Sequence, residues 1–167
     1  MMHTLILMRH AKSDWSAGQS DHLRPLNPRG RAAAKAMGDW LRDKDLVPDQ
    51  VISSDATRTG QTVEGLALEA PVAFTRSLYH ASADTMLQVV HAAQGDTVLI
   101  VGHNPGIADF AHRLCDTPPS HPRFMDYPTC ATTVIRWDVE GWNDIGWRGD
   151  KTRGQPIEFA IPREVMG

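Results

Sequence analysis

Cysteine is scarce in this chain of 167 residues, and long apolar runs are absent. The two cysteines, Cys115 and Cys130, form no CxxC pair, which argues against a thiolate metal site and a disulfide framework and suggests a reducing compartment. The apolar run of residues 5–8 ends at Arg9 and is too short for a signal-peptide core or a membrane span. We therefore expect a soluble, cytoplasmic protein that does not bind membranes.

A large excess of charge is also absent. The chain has 17 Lys and Arg against 20 Asp and Glu, for a formal net charge of −3. This balance gives no indication of a nucleic-acid partner. The length suits one domain, residues 1–167, with a single core, and no repeat or linker divides it. The sequence carries no signal of an oligomeric state.

Strands and helices are predicted to alternate along the chain. The predicted strands are residues 4–8, 51–53, 72–74, 97–101, 132–137 and 158–161. Helices are predicted from the Asn-Pro pairs at 27–28 and 104–105, over residues 56–68, and from Ser82 onward. Four prolines between residues 116 and 128 indicate a surface loop. This order predicts a three-layer α/β/α sandwich with a largely parallel central sheet.

Arginines and histidines follow three of the strongest predicted strands. Arg9 and His10 follow the first strand, Arg58 comes shortly after the second, and His103 follows the strand of residues 97–101. The carboxyl ends of parallel strands meet at one edge of a sheet, where ligands bind. Arginine suits phosphate oxygens, and a neutral imidazole is a competent nucleophile near pH 7. Each feature alone has a plain structural explanation, as a surface charge, turn or helix cap, but together they predict an anion site for phosphoryl transfer.

Three segments carry a resemblance to a known family. Residues 5–10 (LILMRH) resemble the RHG-type signature of the histidine phosphatase superfamily, which includes the phosphoglycerate mutases. Residues 53–62 (SSDATRTGQT) resemble its second motif and residues 101–106 (VGHNPG) its third. Residues 9–15, 24–26 and 127–129 resemble its SixA branch, named for protein phosphohistidine phosphatases. The resemblance, which runs from Thr4 to about Ile135, implies a phosphoglycerate-mutase-like fold.

The resemblance also implies roles for individual residues. His10 would be the nucleophile, and Arg9, Arg58 and His103 would bind and polarise the phosphoryl oxygens. Ala11 stands where the signature has glycine. Further substrate contacts are predicted for three residues near these motifs: Asn104, Lys12 and Arg24. Lys12 and Arg24 could equally be solvated surface charges. No histidine has a metal-binding spacing, so we expect activity without a metal or organic cofactor.

A glutamate general acid of the mutases is missing. Many members of the superfamily carry it after a leucine beyond the second motif, where residues 78–84 here read LYHASAD. His80 occupies the matching position, and Asp84 is the nearest carboxylate, so either could supply a proton. An alkoxide leaving group gains a factor of about 10²–10⁴ from a general acid. An imidazole leaves more easily, so the missing acid favours a phosphohistidine protein, or another phosphate with a good leaving group, as substrate over mutase chemistry.

Other functions stay open at this point. A small-molecule phosphomonoesterase acting on a phosphorylated metabolite is the alternative within enzymes. A non-catalytic phosphate- or phosphopeptide-binding module is the alternative outside them. Mutase activity is disfavoured by the short chain and the missing glutamate.

Overall fold

The computed structural model describes the backbone of residues 1–167 and every side chain except that of Ala17. Over these residues, six strands form one sheet in the order β3-β2-β4-β1-β5-β6. The strands are β1 (Met2–Arg9), β2 (Gln50–Ser54), β3 (Val72–Thr75), β4 (Thr97–Gly102), β5 (Thr132–Asp138) and β6 (Gln155–Ala160). The helices are α1 (Pro28–Asp43), α2 (Thr57–Leu66), α3 (Ala83–His91), α4 (Gly106–Leu114) and α5 (Pro162–Val165).

The sheet is largely parallel, as predicted. β1 pairs with β4, β4 with β2 and β2 with β3 in parallel, while β5 runs antiparallel to both β1 and β6. Alternate side chains of the strands enter opposite cores. Leu5 and Leu7 belong to the cluster that contains Ile107 of α4. Ile6 and Met8 belong to the cluster on the other face, which contains residues of α1. The three-layer α/β architecture is confirmed.

Helix α1 begins where its Asn-Pro pair predicts. The Asn27 side chain accepts a hydrogen bond from the Gly30 N–H (2.8 Å), and Pro28 is the first helical residue. Gly30 packs directly on the backbone of Lys12, where any Cβ would overlap the Lys12 carbonyl oxygen. The start of α1 therefore fixes the segment that follows β1.

The second Asn-Pro pair does not begin a helix. α4 begins at Gly106, Pro105 is its N-cap, and the Asn104–Pro105 peptide bond is cis. The Asn104 side chain does not cap the helix: its Oδ1 accepts no hydrogen bond from any described residue, and its Nδ2 donates to the carbonyl oxygens of Asp126 and Tyr127, both at 3.0 Å. The predicted helix start is therefore corrected by one residue, from Pro105 to Gly106.

Other element ends also differ from the sequence prediction. α2 ends at Leu66, not residue 68, because Ala67 adopts a left-handed conformation (φ 53°). β6 begins at Gln155, three residues early, and pairs with β5 across an irregularity at Val134 and Ile135. α5 was not predicted, although Pro162 is its first residue. None of the described helices is long and apolar enough to cross a membrane.

Strand register places the predicted site residues side by side. Arg9 of β1 lies opposite Gly102 of β4, and Val101 of β4 lies opposite Ser53 of β2. The residues that follow, His10, His103 and Ser54, therefore leave three adjacent strands at the same edge of the sheet.

Candidate active site

His10 is buried at the end of β1, with 4% of its surface exposed. Its backbone N–H donates to the Gly102 carbonyl (3.1 Å) and its carbonyl accepts from the Cys130 N–H (2.9 Å), which fixes the residue between β4 and the loop before β5. The ring Nδ1 lies 2.7 Å from the Ala11 carbonyl oxygen. A carbonyl only accepts, so we assign the proton to Nδ1, which leaves a lone pair on Nε2.

The electrostatic environment keeps this imidazole neutral. Burial, followed by the positive charges of Arg9, Arg58 and Arg24, lowers the pKa of His10 to about 3, although the hydrogen bond to Ala11 opposes the shift. At neutral pH the ring therefore carries no charge. Nε2 then has the electronic character of a nucleophile.

His103 lies beside His10, with ring centroids 5.4 Å apart. One Arg58 Nη atom is 3.3 Å from its Nδ1, and the Ser54 Oγ is 2.8 Å from its Nε2. A guanidinium only donates, so Nδ1 accepts and Nε2–H donates to Ser54. Burial, then the neighbouring His10 and Arg58, lowers the pKa of His103 to about 3. Both histidines are neutral, with opposite nitrogens protonated.

Arg9 and Arg58 lie near the two histidines and have N–H groups without hydrogen-bond partners among the described residues. Arg9 donates to the Tyr127 carbonyl oxygen (3.1 Å). Arg58, in the first turn of α2, is 2% exposed. The Nε atoms of both are buried and have no hydrogen-bond partner among the described residues. Burial and the charge of Arg58 lower the pKa of Arg9. Two close cations with unpaired donors are stabilised by an anion between them.

Asp21 is a site residue that the sequence reasoning missed. Its carboxylate accepts from Arg24 (2.7 Å), Arg58 (3.1 Å), His80 Nε2 (2.9 Å) and the Tyr79 hydroxyl. Hydrogen bonds from Tyr79, then Arg24 and His80, hold the pKa of Asp21 well below its ordinary value. This ionised carboxylate positions Arg58. The only signal in the sequence was the acid–base spacing of Asp21 and Arg24.

The remaining predicted residues fall in different places. Arg24 is buried; its Nε donates to Ser13 (2.9 Å) and its guanidinium stacks 3.7 Å above the Trp15 ring, so it is not a solvated charge. Lys12 is exposed. Asn104 uses both N–H groups on backbone carbonyls. This placement speaks against the predicted phosphate contact through its side-chain amide.

The two candidate acids are separated by the structure. His80 contacts Asp21 and its ring centroid lies 5.2 Å from that of His103. Asp84, by contrast, is exposed and pairs with Arg148 (2.7 Å). Asp84 is therefore held at the surface and has no hydrogen bond to the cluster, and these contacts favour His80 of the two candidate acids.

Two contacts hold the site's backbone segments together. The Thr62 Oγ accepts from the Ala11 N–H (2.9 Å) and donates to the Arg58 carbonyl (2.7 Å), which links the His10 segment to α2. Gly106 packs against the Ala81 carbonyl oxygen, with no room for a Cβ. Within the described residues no group of three or more histidine, cysteine, aspartate or glutamate side chains is arranged to hold a metal ion.

Comparisons with known proteins bear on this arrangement. A family model described as "Histidine phosphatase superfamily (branch 1)" matches residues 5–82. An uncharacterised protein of Mycobacterium tuberculosis (strain H37Rv) is 35% identical over 165 residues, covering 93% of this chain and 100% of that protein. The phosphohistidine phosphatase SixA of Escherichia coli (strain K12) is 25% identical, covering 86% and 91%. The solved structure of a putative phosphohistidine phosphatase SixA from Nakamurella multipartitia is 30% identical, covers 97% of each chain and superposes with a TM-score of 0.82.

Proposed function

This chain belongs to the histidine phosphatase superfamily, on its SixA-type branch, and we propose that it removes phosphate from phosphohistidine in a protein by way of a phosphorylated His10. It is a phosphatase of the histidine type; the substrate and the residue roles are our proposal. The arrangement of His10 supports it, since a neutral ring whose Nδ1–H is bonded to a carbonyl keeps a lone pair on Nε2.

In the first step, Nε2 of His10 attacks the phosphorus atom of the substrate. A P–N bond forms on His10 and the P–N bond of the substrate breaks. The substrate ring takes the electron pair and leaves as neutral imidazole when its other nitrogen is protonated. Arg9 and Arg58 stabilise the charge on the phosphoryl oxygens.

In the second step, water attacks the phosphorus atom. The P–Nε2 bond breaks and His10 keeps the electron pair, which restores the neutral ring with its proton still on Nδ1. The hydrogen bond from Nδ1–H to the Ala11 carbonyl (2.7 Å) stabilises the positive charge that the phosphorylated ring carries between the two steps. Phosphate is released, and the second proton of the water passes to solvent or to the phosphate.

The substrate class is supported by one observation: neither Asp21 nor Asp84 has a proton to give to a leaving group. Asp21 is ionised, because its pKa is lowered by Tyr79 and Arg24. Asp84 is paired with Arg148 at the surface. An alkyl phosphate without a general acid loses a factor of about 10²–10⁴ in rate. A phosphohistidine whose ring leaves as neutral imidazole does not need that acid, although His80 is in position to assist.

The test compares three substrates at equal enzyme concentration. They are a phosphotransfer protein phosphorylated on histidine with phosphoramidate, p-nitrophenyl phosphate and glycerol phosphate. We expect kcat/KM to be at least about 10²-fold higher for the first than for glycerol phosphate, following the size of the missing acid contribution. His10→Ala abolishes the acid-labile phosphoenzyme, and His112→Ala, an exposed histidine on α4, retains it.

The alternatives have distinct outcomes in the same assay. A preference for glycerol phosphate or another metabolite would identify a small-molecule phosphomonoesterase and refute the proposal. Phosphate binding without turnover of any substrate would identify a binding module. Activity after treatment with a chelator tests the predicted independence from metals. The single domain over residues 1–167 and the cytoplasmic location stay predictions of the sequence.

A further inference from the structure

A cavity of about 720 Å³ lies outside the cluster of His10 and Arg58. Its walls come from separate segments: the residue Lys12 after β1, Arg29 and Ala33 of α1, the pair Pro128–Thr129, and the chain around α5 with Arg163. None of the histidines or arginines assigned above to the phosphoryl site lines it.

The lining of this cavity is strongly cationic for a chain of net charge −3. Arg123 is neutralised by Asp126 at 3.0 Å. Lys12, Arg29 and Arg163 make no ion pair or side-chain hydrogen bond with any described residue, and no carboxylate lines the cavity. Glu164, next to Arg163 in sequence, instead contacts His121 at 3.0 Å. Three cations are therefore left without a partner.

The cavity adjoins the site through two short segments. Lys12 is two residues after His10, and its backbone is held by the Asn27 N–H (3.0 Å) at the start of α1. Thr129 is two residues after Tyr127, whose carbonyl oxygen accepts from Arg9. A ligand in the cavity would therefore lie beside a phosphoryl group at His10.

The three cations differ from the arginines of the site. Arg58 is buried and held by several contacts, as a donor to one phosphoryl group is. Lys12, Arg29 and Arg163 are exposed and stand on different elements. Exposed charges of this kind match an extended acidic surface and steer its approach, whereas a small anion is bound best by fixed, desolvated donors.

We propose that this cavity is the docking site for an acidic segment of the phosphohistidine protein. The inference rests on the proposed function and adds what the enzyme recognises beyond the phosphoryl group. Acidic side chains that flank the phosphohistidine contact Lys12, Arg29 and Arg163 while His10 attacks the phosphorus atom. The docking lowers KM and leaves the chemical step unchanged.

Twin peptides test this directly. Both carry one phosphohistidine; one has flanking Asp and Glu, and the other has Asn and Gln at the same positions. We expect kcat/KM to be about tenfold higher for the acidic peptide than for its neutral twin, because KM is lower. This factor is the size that two or three exposed ion pairs supply. Arg29→Glu combined with Arg163→Glu should reduce this preference to about twofold or less. Lys35→Glu, on α1 but not lining the cavity, should keep it.

Hydrolysis of p-nitrophenyl phosphate must be unchanged in the double variant, because this substrate carries no acidic side chains for Arg29 and Arg163 to bind. Equal kcat/KM for the twin peptides in the wild-type enzyme, or a preference that survives the double charge reversal, overturns the inference.

A binding measurement separates this inference from the proposed function. Fluorescence anisotropy of labelled, unphosphorylated twin peptides reports docking without chemistry. If neither phosphopeptide is hydrolysed while p-nitrophenyl phosphate is, the proposed function fails, and the anisotropy still decides the docking. The same assay is run with tripolyphosphate. If tripolyphosphate binds the wild type and loses affinity in the double variant, while the acidic peptide does not bind, the cavity is a site for a small anion and the docking inference is refuted.

Discussion

Replacing Ser54 by alanine removes the acceptor of the protonated nitrogen of His103. The Ser54 Oγ lies 2.8 Å from Nε2 of His103, while Arg58 donates to Nδ1 of the same ring at 3.3 Å. In Ser54→Ala, Nε2–H has no acceptor. Moving the proton to Nδ1 does not resolve this, because that nitrogen would then point a donor at a guanidinium donor. Either tautomer leaves an unpaired polar group.

The free-energy cost of Ser54→Ala follows from the burial of both residues. His103 is 2% exposed and Ser54 is fully buried, so solvent cannot replace the lost hydroxyl without rearrangement. An unsatisfied buried donor costs about 1–3 kcal/mol. If the phosphoryl-transfer transition state loses that amount of stabilisation, kcat falls by a factor of about 5–150. We expect a fall of about tenfold to a hundredfold, with little change in KM for p-nitrophenyl phosphate.

Ser53→Ala is the matched control. The Ser53 hydroxyl is equally buried but donates to the Ser54 carbonyl oxygen (2.9 Å) and touches no histidine. Both variants should lose about 1 kcal/mol or more of unfolding free energy in urea, but only Ser54→Ala should lose kcat. The ring ¹⁵N shifts of His103 should also move in Ser54→Ala alone. Equal kcat in the two variants, or unchanged shifts, would refute the assigned tautomer.

Three further predictions concern the rest of the site. Asp21→Asn should lower kcat/KM for p-nitrophenyl phosphate about tenfold, because Arg58 loses its anionic partner, whereas Asp84→Asn, a surface carboxylate, should stay within about twofold. Because folding lowers the pKa of His10 from 6.5 to about 3, the unfolded chain binds the extra proton between these values, and stability falls as pH drops through this window. Between pH 7.5 and 5.0, urea unfolding should lose about 2 kcal/mol more in the wild type than in His10→Asn; equal losses would contradict this. Gly106→Ala should lower Tm by about 5–10 °C, because its Cβ meets a backbone carbonyl, while Gly60→Ala in α2, whose Cβ would make only an ordinary contact with the Phe74 ring (3.8 Å), should not.

The position of much of the site was predictable, because local sequence patterns predict the strands and the residues that follow them. Apolar β-branched runs predict buried strands, and the residues that end parallel strands meet at one edge. This pattern alone places Arg9, His10 and His103 at a common edge of the sheet, and they lie there in the fold. Ordinary helix-cap chemistry likewise predicted α1 at Asn27 and Pro28.

Some predictions depart from the structure where a distant segment competes for a side chain. Asn104 and Pro105 were expected to begin a helix, but the Asn104 side chain binds the carbonyl oxygens of Asp126 and Tyr127, and the helix begins at Gly106. Asp84 was one of two candidate acids, and in the structure it is exposed and pairs with Arg148. Neither partner lies close in sequence, so no local pattern indicates the competition.

The sequence alone determined the family, the α/β sheet and which arginines and histidines meet at one edge of the sheet, because residue type and strand order depend on neighbours along the chain. Only the tertiary structure decided the protonation of the two histidines and the part played by Asp21. Those properties depend on contacts with Ala11, Ser54 and Tyr79, set by how loops and helices pack on the sheet. The position of His10 after β1 is a property of the sequence, whereas the neutral state of its ring is a property of the fold.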